Sequence, residues 1–337
     1  MRTLPNDRWA CQQCGTCCHG FQLGPVEPHI IEDLHKRDVG RLWPRAADGW
    51  LTERGGRPFL RHRDGACVFL QPDRRCFLHA TFGEEAKPGF CRIFPLRISD
   101  GPAGLTATIR PECARYHRAH RTGPPTAQAL SALDGLSVPV TRIQDIALLP
   151  GVPLPDSDWP ALEARLLQTT ETAATPEATI AAMRPLLGLP AAGDPARHAQ
   201  AAAALAYAIG AALQQTDGTD HLRSALATAQ QRAAVPALSD DAQDYCGVVI
   251  RSHIASGDFQ AYGSLAAGLG RVLLETRLAR LSAELDGDTP LSADAFGESL
   301  ARWLRLTANP SLRPLLNAAA PALIDLVRFA PAGTPQG

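Results

Sequence analysis

The sequence predicts an α+β fold in which a small cysteine-rich metal-binding domain with a short β-hairpin is followed by an all-α helical domain. Three observations lead there. Eight of the nine cysteines lie at or before residue 113 of the 337. Beyond Gly123 the composition turns to Ala, Leu, Thr and Pro. In that second part the apolar residues recur every three or four positions, which is the period of a helix face. The expected division is 1–123 for the cysteine domain, 124–330 for the helical domain and 331–337 for a flexible tail, with Gly123-Pro124-Pro125-Thr126 at the boundary.

Cys11-Gln-Gln-Cys14-Gly-Thr-Cys17-Cys18 places four thiols in one octet. Two-residue spacings let a tight turn aim successive sulfurs at one centre, and Gly15 can take the positive φ that such a turn needs. Adjacent Cys17 and Cys18 diverge, so one of them serves a second centre or stays free. Further ligands are expected from Cys67, Cys76, Cys91 and Cys113. Eight thiols suit two four-sulfur sites, or one [4Fe-4S] cluster with spare thiols. His19 and His79 are candidate ligands. His117 and His120 read as a solvated helix face, Glu27 as a helix-start carboxylate and Cys246 as core.

Between these cysteines, Val26, Ile30, Ile31 and Leu34 predict a short helix from Pro28 to Arg37. Ala66–Leu70 and Arg75–Leu78, separated by Gln71-Pro72-Asp73-Arg74, read as a hairpin holding Cys67 near Cys76. Leu105–Ile109 is a third extended stretch leading back to Cys113. Lys87-Pro88-Gly89-Phe90-Cys91-Arg92-Ile93-Phe94-Pro95 is expected to wrap the centre. In it Arg92 either donates to sulfur or holds an anionic group of a cofactor or substrate, the alternative being a surface ion pair.

The helical part is expected to contain six to eight helices. Asp158, Thr175, Asp194 and Asn309 each precede a first turn that contains Pro, and Ser292 is flanked by Leu291 and Phe296 as a hydrophobic staple. Leu162, Leu166, Leu205, Ile209, Leu265, Leu269, Val272, Leu300, Leu304 and Leu323 are the predicted buried positions.

Residues 1–123 carry 19 Lys+Arg against 13 Asp+Glu, leaving 14 against 21 in the remainder, so a formal net charge of -1 hides a basic front and an acidic back. A basic surround offsets the cost of gathering thiolates, and it also suits an acidic partner. No charged leader precedes Cys11 and no apolar run reaches the ~20 residues of a membrane span. A cytoplasmic protein is therefore expected, with no membrane and no nucleic acid among its partners.

The octet, Val26-Glu27, Cys67-Val-Phe-Leu70, Cys76-Phe-Leu-His79, Gly83-Glu84 and the Lys87–Pro95 stretch together resemble the CxxCxxCC cysteine-cluster family. That family is a zinc- or iron-chelating domain to which flagellin lysine N-methylase is related. The likeness covers residues 9–115. It implies an iron–sulfur cluster, [4Fe-4S] in preference, or zinc as cofactor. It also implies a metal-binding protein acting on or with a protein partner. The methylase relationship implies the alternative, an S-adenosylmethionine-dependent protein-lysine N-methyltransferase. The radical-enzyme spacing Cys-x3-Cys-x2-Cys is absent from the sequence, and Gly268-Leu-Gly270 falls inside a helical pattern.

Overall fold

The computed structural model describes residues 1–19, 24–133, 136, 138–171, 175–213, 220–232, 234–285, 290–308 and 312–332. The front part starts with β1 (Arg2–Thr3) and, after the octet, α1 (Pro28–Lys36) and the single turn α2 (Val39–Leu42). Pro28 sits in the first turn of α1, and Ile30 and Leu34 point into the protein at helical spacing. Two antiparallel ribbons follow, β2 (Leu51–Arg54) with β3 (Arg57–Leu60) and β4 (His62–Arg63) with β5 (Ala66–Cys67). Then come α3 (Phe77–Phe82) and α4 (Gly89–Ile93).

The expected hairpin is corrected in part. Leu70 and Cys76 do form an antiparallel bridge around the Pro72-Asp73 turn. Cys76, however, ends the extended run, and Phe77-Leu78 open α3. A short apolar run suits strand or helix alike, and here Phe77 packs flat on Trp43, ring centroids 4.8 Å apart.

A four-stranded sheet joins the front to the rear, in the order β1-β7-β6-β8. Its centre is the hairpin of β6 (Leu96–Gly101) and β7 (Gly104–Ile109), paired from Leu96↔Ile109 to Gly101↔Gly104. β1 lies parallel to β7, and β8 (Val140–Arg142) lies parallel to β6. After β7 come α5 (Tyr116–Thr122) and the single turn α6 (Thr126–Ala129), and after β8 a small ribbon of β9 (Ala147–Leu149) and β10 (Val152–Pro153). The region read as helical from 124 thus also contains three short strands, β8, β9 and β10.

Nine helices complete the described residues: α7 (Trp159–Thr169), α8 (Pro176–Met183), α9 (Pro195–Leu213), α10 (Asp220–Gln231), α11 (Asp240–Ala255), α12 (Leu265–Leu285), α13 (Ala293–Thr307), α14 (Arg313–Ala318) and α15 (Ala320–Phe329). The count exceeds the six to eight expected because Pro321 separates α14 from α15. All ten predicted core positions are buried. Thr175, Asp194 and Ser292 cap as expected, whereas Asp158 has helical backbone angles and caps nothing. Asn309, with Pro310, and residues 333–337 of the expected tail lie outside the described residues. Among the described residues no helix is long and apolar enough to cross a membrane.

Two hydrophobic cores result. The smaller runs from Val26 to Ala86, with Phe90 and Cys91 against it. The larger starts at Ile93, takes in β6, β7 and α5, and continues to Ala330. The two cores meet between Cys91 and Ile93, and Trp9, ahead of the octet, packs against the larger one. The larger core is built round α12, buried on all sides from Leu265 to Ala283. Two of its buried arginines are ion-paired, Arg271 with Glu275 at 2.6 Å and Arg280 with Glu177 at 2.8 Å, while Arg277 donates to the carbonyl of Arg232.

The opposite charges of front and back meet across α5. Arg115 pairs with Glu298, Arg118 with Asp294, Arg121 with Asp241 at 2.7 Å, and His120 lies 3.3 Å from Asp244. His117 Nε2 is 3.0 Å from Asp294. The reading of His117 and His120 as a solvated face is corrected, since both are buried. Gly297 makes this possible: a Cβ there would stand 2.6 Å from that of His117.

Two expectations follow. Arg184 is buried and donates to the carbonyls of Ala181, Ala191, Arg328 and Ala330, tying the end of α15 to α8. Arg184→Leu leaves these acceptors unpaired and should cost roughly 3 kcal/mol in denaturant unfolding, whereas an unchanged midpoint would reject the clamp. Burial pushes the His117 pKa down to about 4 from an ordinary 6.5. Between those values the unfolded chain binds the extra proton, so stability is complete above about 6.5 and is lost as pH falls toward 4. His117→Gln should flatten the stability profile in that window, and equal slopes in the two proteins would refute it.

Candidate metal centre

The octet is anchored at both ends. Before it, Trp9 N–H donates to Pro124 O at 3.0 Å and Arg8 Nη1 to Gly123 O at 2.9 Å, and Arg8 also bridges to Pro125. After it, His19 bridges to Ala66, one residue from Cys67. Between these points Gln13 and Gly15 take positive φ, 50° and 69°, and a tight turn spans Thr16–Cys18. A Cβ on Gly15 would lie 2.8 Å from Arg74 O, so glycine lets the octet press against the Gln71–Arg74 turn.

The later thiols are set by longer elements. Cys67 ends β5, and Cys76 precedes α3, joined to it by Phe77 N–H to Phe69 O at 2.8 Å. Cys91 lies in α4, whose N-terminal Gly89 N–H is received by Glu27 at 3.1 and 3.2 Å. Glu27 is thus a helix-start carboxylate, but for α4 rather than α1. Cys113 follows β7, with Arg305 donating to the neighbouring Glu112 carbonyl at 3.1 Å.

Backbone N–H groups face several sulfurs. Gln13 N–H donates to Cys11 Sγ at 3.4 Å. The amides of Phe69, of Leu78 and His79, and of Arg115 favour the thiolates of Cys67, Cys76 and Cys113 respectively. Burial works more strongly the other way. It pushes Cys67 and Cys113 up to about 12, raises Cys11 and Cys76, and raises Cys91 further. Cys17 alone is lowered, to about 7, chiefly by a hydrogen bond from Cys18, whose own thiol is raised. A bound cation would displace the protons of such thiols.

All eight predicted cysteines share one electrostatic network. Cys17 acts on Cys11, Cys67, Cys76, Cys91 and Cys113, and Cys14 acts on Cys11 and Cys113. Cys246 is buried in the larger core, as expected. Among the described residues, though, no three His, Cys, Asp or Glu side chains are arranged to hold a metal ion. The donor chemistry fits zinc or an iron–sulfur cluster: thiols in number, amides turned to sulfur and apolar cover from Phe69, Phe77 and Phe90. The sulfurs are gathered without being drawn to one point.

Residues 10–121 match the family model described as "CxxCxxCC: Putative zinc- or iron-chelating domain". The match supports metal binding by this segment. No curated protein and no solved structure matches the chain.

Outside the thiols, the CxxCxxCC segment places the other predicted residues less centrally. His19 and His79 are exposed. Arg92 is largely buried, with Nη2 3.3 Å from the exposed Glu85 carboxylate and Nε buried without a hydrogen-bond partner. Gly268 and Gly270 both lie inside α12, so this pair is no nucleotide-binding loop between strand and helix.

Two residues escaped the sequence reading. His62 is the cross-strand partner of Cys67, with Nε2 buried and without a hydrogen-bond partner. Lys87 lowers the thiol pKa of Cys11, Cys17, Cys76 and Cys91. A compositional signal existed for the second: Lys36 and Lys87 are the two lysines of the chain, against 31 arginines. Lys87→Gln, which removes the cation and keeps the stem, should weaken zinc binding by about tenfold in competition with a chromophoric chelator. An unchanged affinity would remove Lys87 from the site.

Proposed function

We propose that the protein binds a zinc ion or an iron–sulfur cluster through the thiolates of its front module. The gathering of eight cysteines, from five separate stretches of chain, into one network with backbone amides turned to sulfur is the observation that carries this reading. Buried apolar cysteines with no ligand role need neither the amides nor Lys87. The family match to residues 10–121 points the same way. Cys67, Cys76, Cys91 and Cys113, with octet thiols, are the residues that would hold the group. Bound zinc would cross-link the strands and loops that carry them, and a cluster would add one-electron chemistry. Such closely spaced thiols oxidise outside a reducing compartment, which supports a cytoplasmic setting.

Anaerobic purification followed by metal and acid-labile sulfide analysis tests this directly. Zinc without visible absorption assigns a zinc site. Iron and sulfide in equal amounts with visible absorption assign a cluster. A chain that retains neither, and takes up neither on reconstitution, refutes the proposal.

A further inference from the structure

We propose that the larger core carries a binding site for a small neutral hydroxyl compound, water or a short alcohol, held between His253 and Arg271. The inference is independent of the metal-binding reading.

The last turn of α11, the tight turn Asp258–Tyr262 and the start of α12 enclose the site. Gly257 joins the first two with a positive φ of 70°. A Cβ on Gly268 would stand 2.4 Å from that of Phe259, so glycine lets the turn lie against α12. A small cavity remains among these elements. Its apolar walls are Ile254, Phe259, Leu265 and Leu269, and His253 and Arg271 also line it. Its centre has room for a molecule about the size of water.

His253 and Arg271 are each 5% exposed, and each keeps a nitrogen that its ion pair does not use. His253 Nδ1 lies 3.2 Å from Asp258 Oδ2, and the other oxygen of Asp258 accepts from Arg97. The proton of the neutral imidazole therefore sits on Nδ1, which leaves a lone pair on Nε2. Burial, with Arg271 and Arg97 close by, pushes the pKa of this ring well below its ordinary 6.5 and keeps it neutral. Arg271 Nε donates to Glu275 at 2.6 Å, and the guanidinium stands 5.0 Å from the centre of the Tyr262 ring. His253 Nε2 and Arg271 Nη2 are both buried, and neither finds a hydrogen-bond partner among the described residues. Leaving two such atoms unpaired is costly.

The cavity thus offers one acceptor and one donor amid apolar walls. A hydroxyl matches both, giving its proton to His253 and receiving one from Arg271. An ionised carboxylate has no proton to give to Nε2, and an ammonium has no lone pair for Arg271. Charge agrees with a neutral occupant. Arg97 is matched by Asp258 and Glu112, and Arg271 by Glu275, so these arginines call for no further anion.

NMR of the isotope-labelled full chain tests this with water and methanol as the probes. The His253 ring is expected as the Nδ1–H tautomer with Nε2 accepting a hydrogen bond. A ring protonated at Nε2 would overturn the proposal, because the site would then hold two donors and suit an anion. The His253 Cε1–H and a Leu269 methyl should show cross-relaxation with the bound molecule. A signal at the water frequency that survives added methanol assigns water, and its replacement by the methanol methyl signal assigns an alcohol site. No cross-relaxation with either probe would sink the proposal. His253→Leu removes the acceptor and should abolish the Leu269 signal. The same signal in that variant would reject Nε2 as the anchor. Should His253→Leu fail to fold, the tautomer and the cross-relaxation of the unsubstituted chain still decide the question.

Discussion

The double anchoring of the octet is the constraint on which the front of the molecule depends. Arg8 and Trp9 fix one end to residues 123–125, and His19 fixes the other to β5. With both ends held, the short stretch between them has few conformations left, and the positive φ at Gln13 and Gly15 satisfies the geometry. Backbone pairing thus holds the octet between Ala66, beside Cys67, and residues 123–125.

Charge is arranged to serve the same union. The basic front and acidic back could have signalled an outside partner, yet the residues of α5 spend their charge on α11 and α13. Most of these pairs are partly exposed, and each contributes little alone. Their effect is orientation, because α5 follows directly on Cys113. The close approach permitted by Gly297 buries His117 in that contact.

Much of this was legible in the sequence wherever the signal was local. The octet, α1, β7 and the buried faces of α7, α9, α12, α13 and α15 follow from spacing and period. The caps at Thr175, Asp194 and Ser292 follow from residue type. What escaped depends on distant partners. β1 pairs with β7 and β8 with β6 across long separations, and nothing in Arg2-Thr3 announces a strand. Phe77-Leu78 is apolar in either conformation, and stacking on Trp43 decides for helix. Asp158 has the residue type of a cap and the backbone of a helix. His62 is only cross-strand from Cys67 once β4 and β5 have paired, and Lys87 acts by position rather than motif.

The order in which the ribosome delivers these parts gives the octet anchoring a further meaning. Cys11 to Cys18 are synthesised first, while their anchors at Ala66 and Gly123–Pro125 and the last cysteine of the group, Cys113, come far later. For that interval four neighbouring thiols are attached to a growing chain with nothing to shield them. Oxidants and stray soft metals meet them before their own partners do. The anchor of the octet's first end can form only once Gly123, 115 positions after Arg8, has emerged.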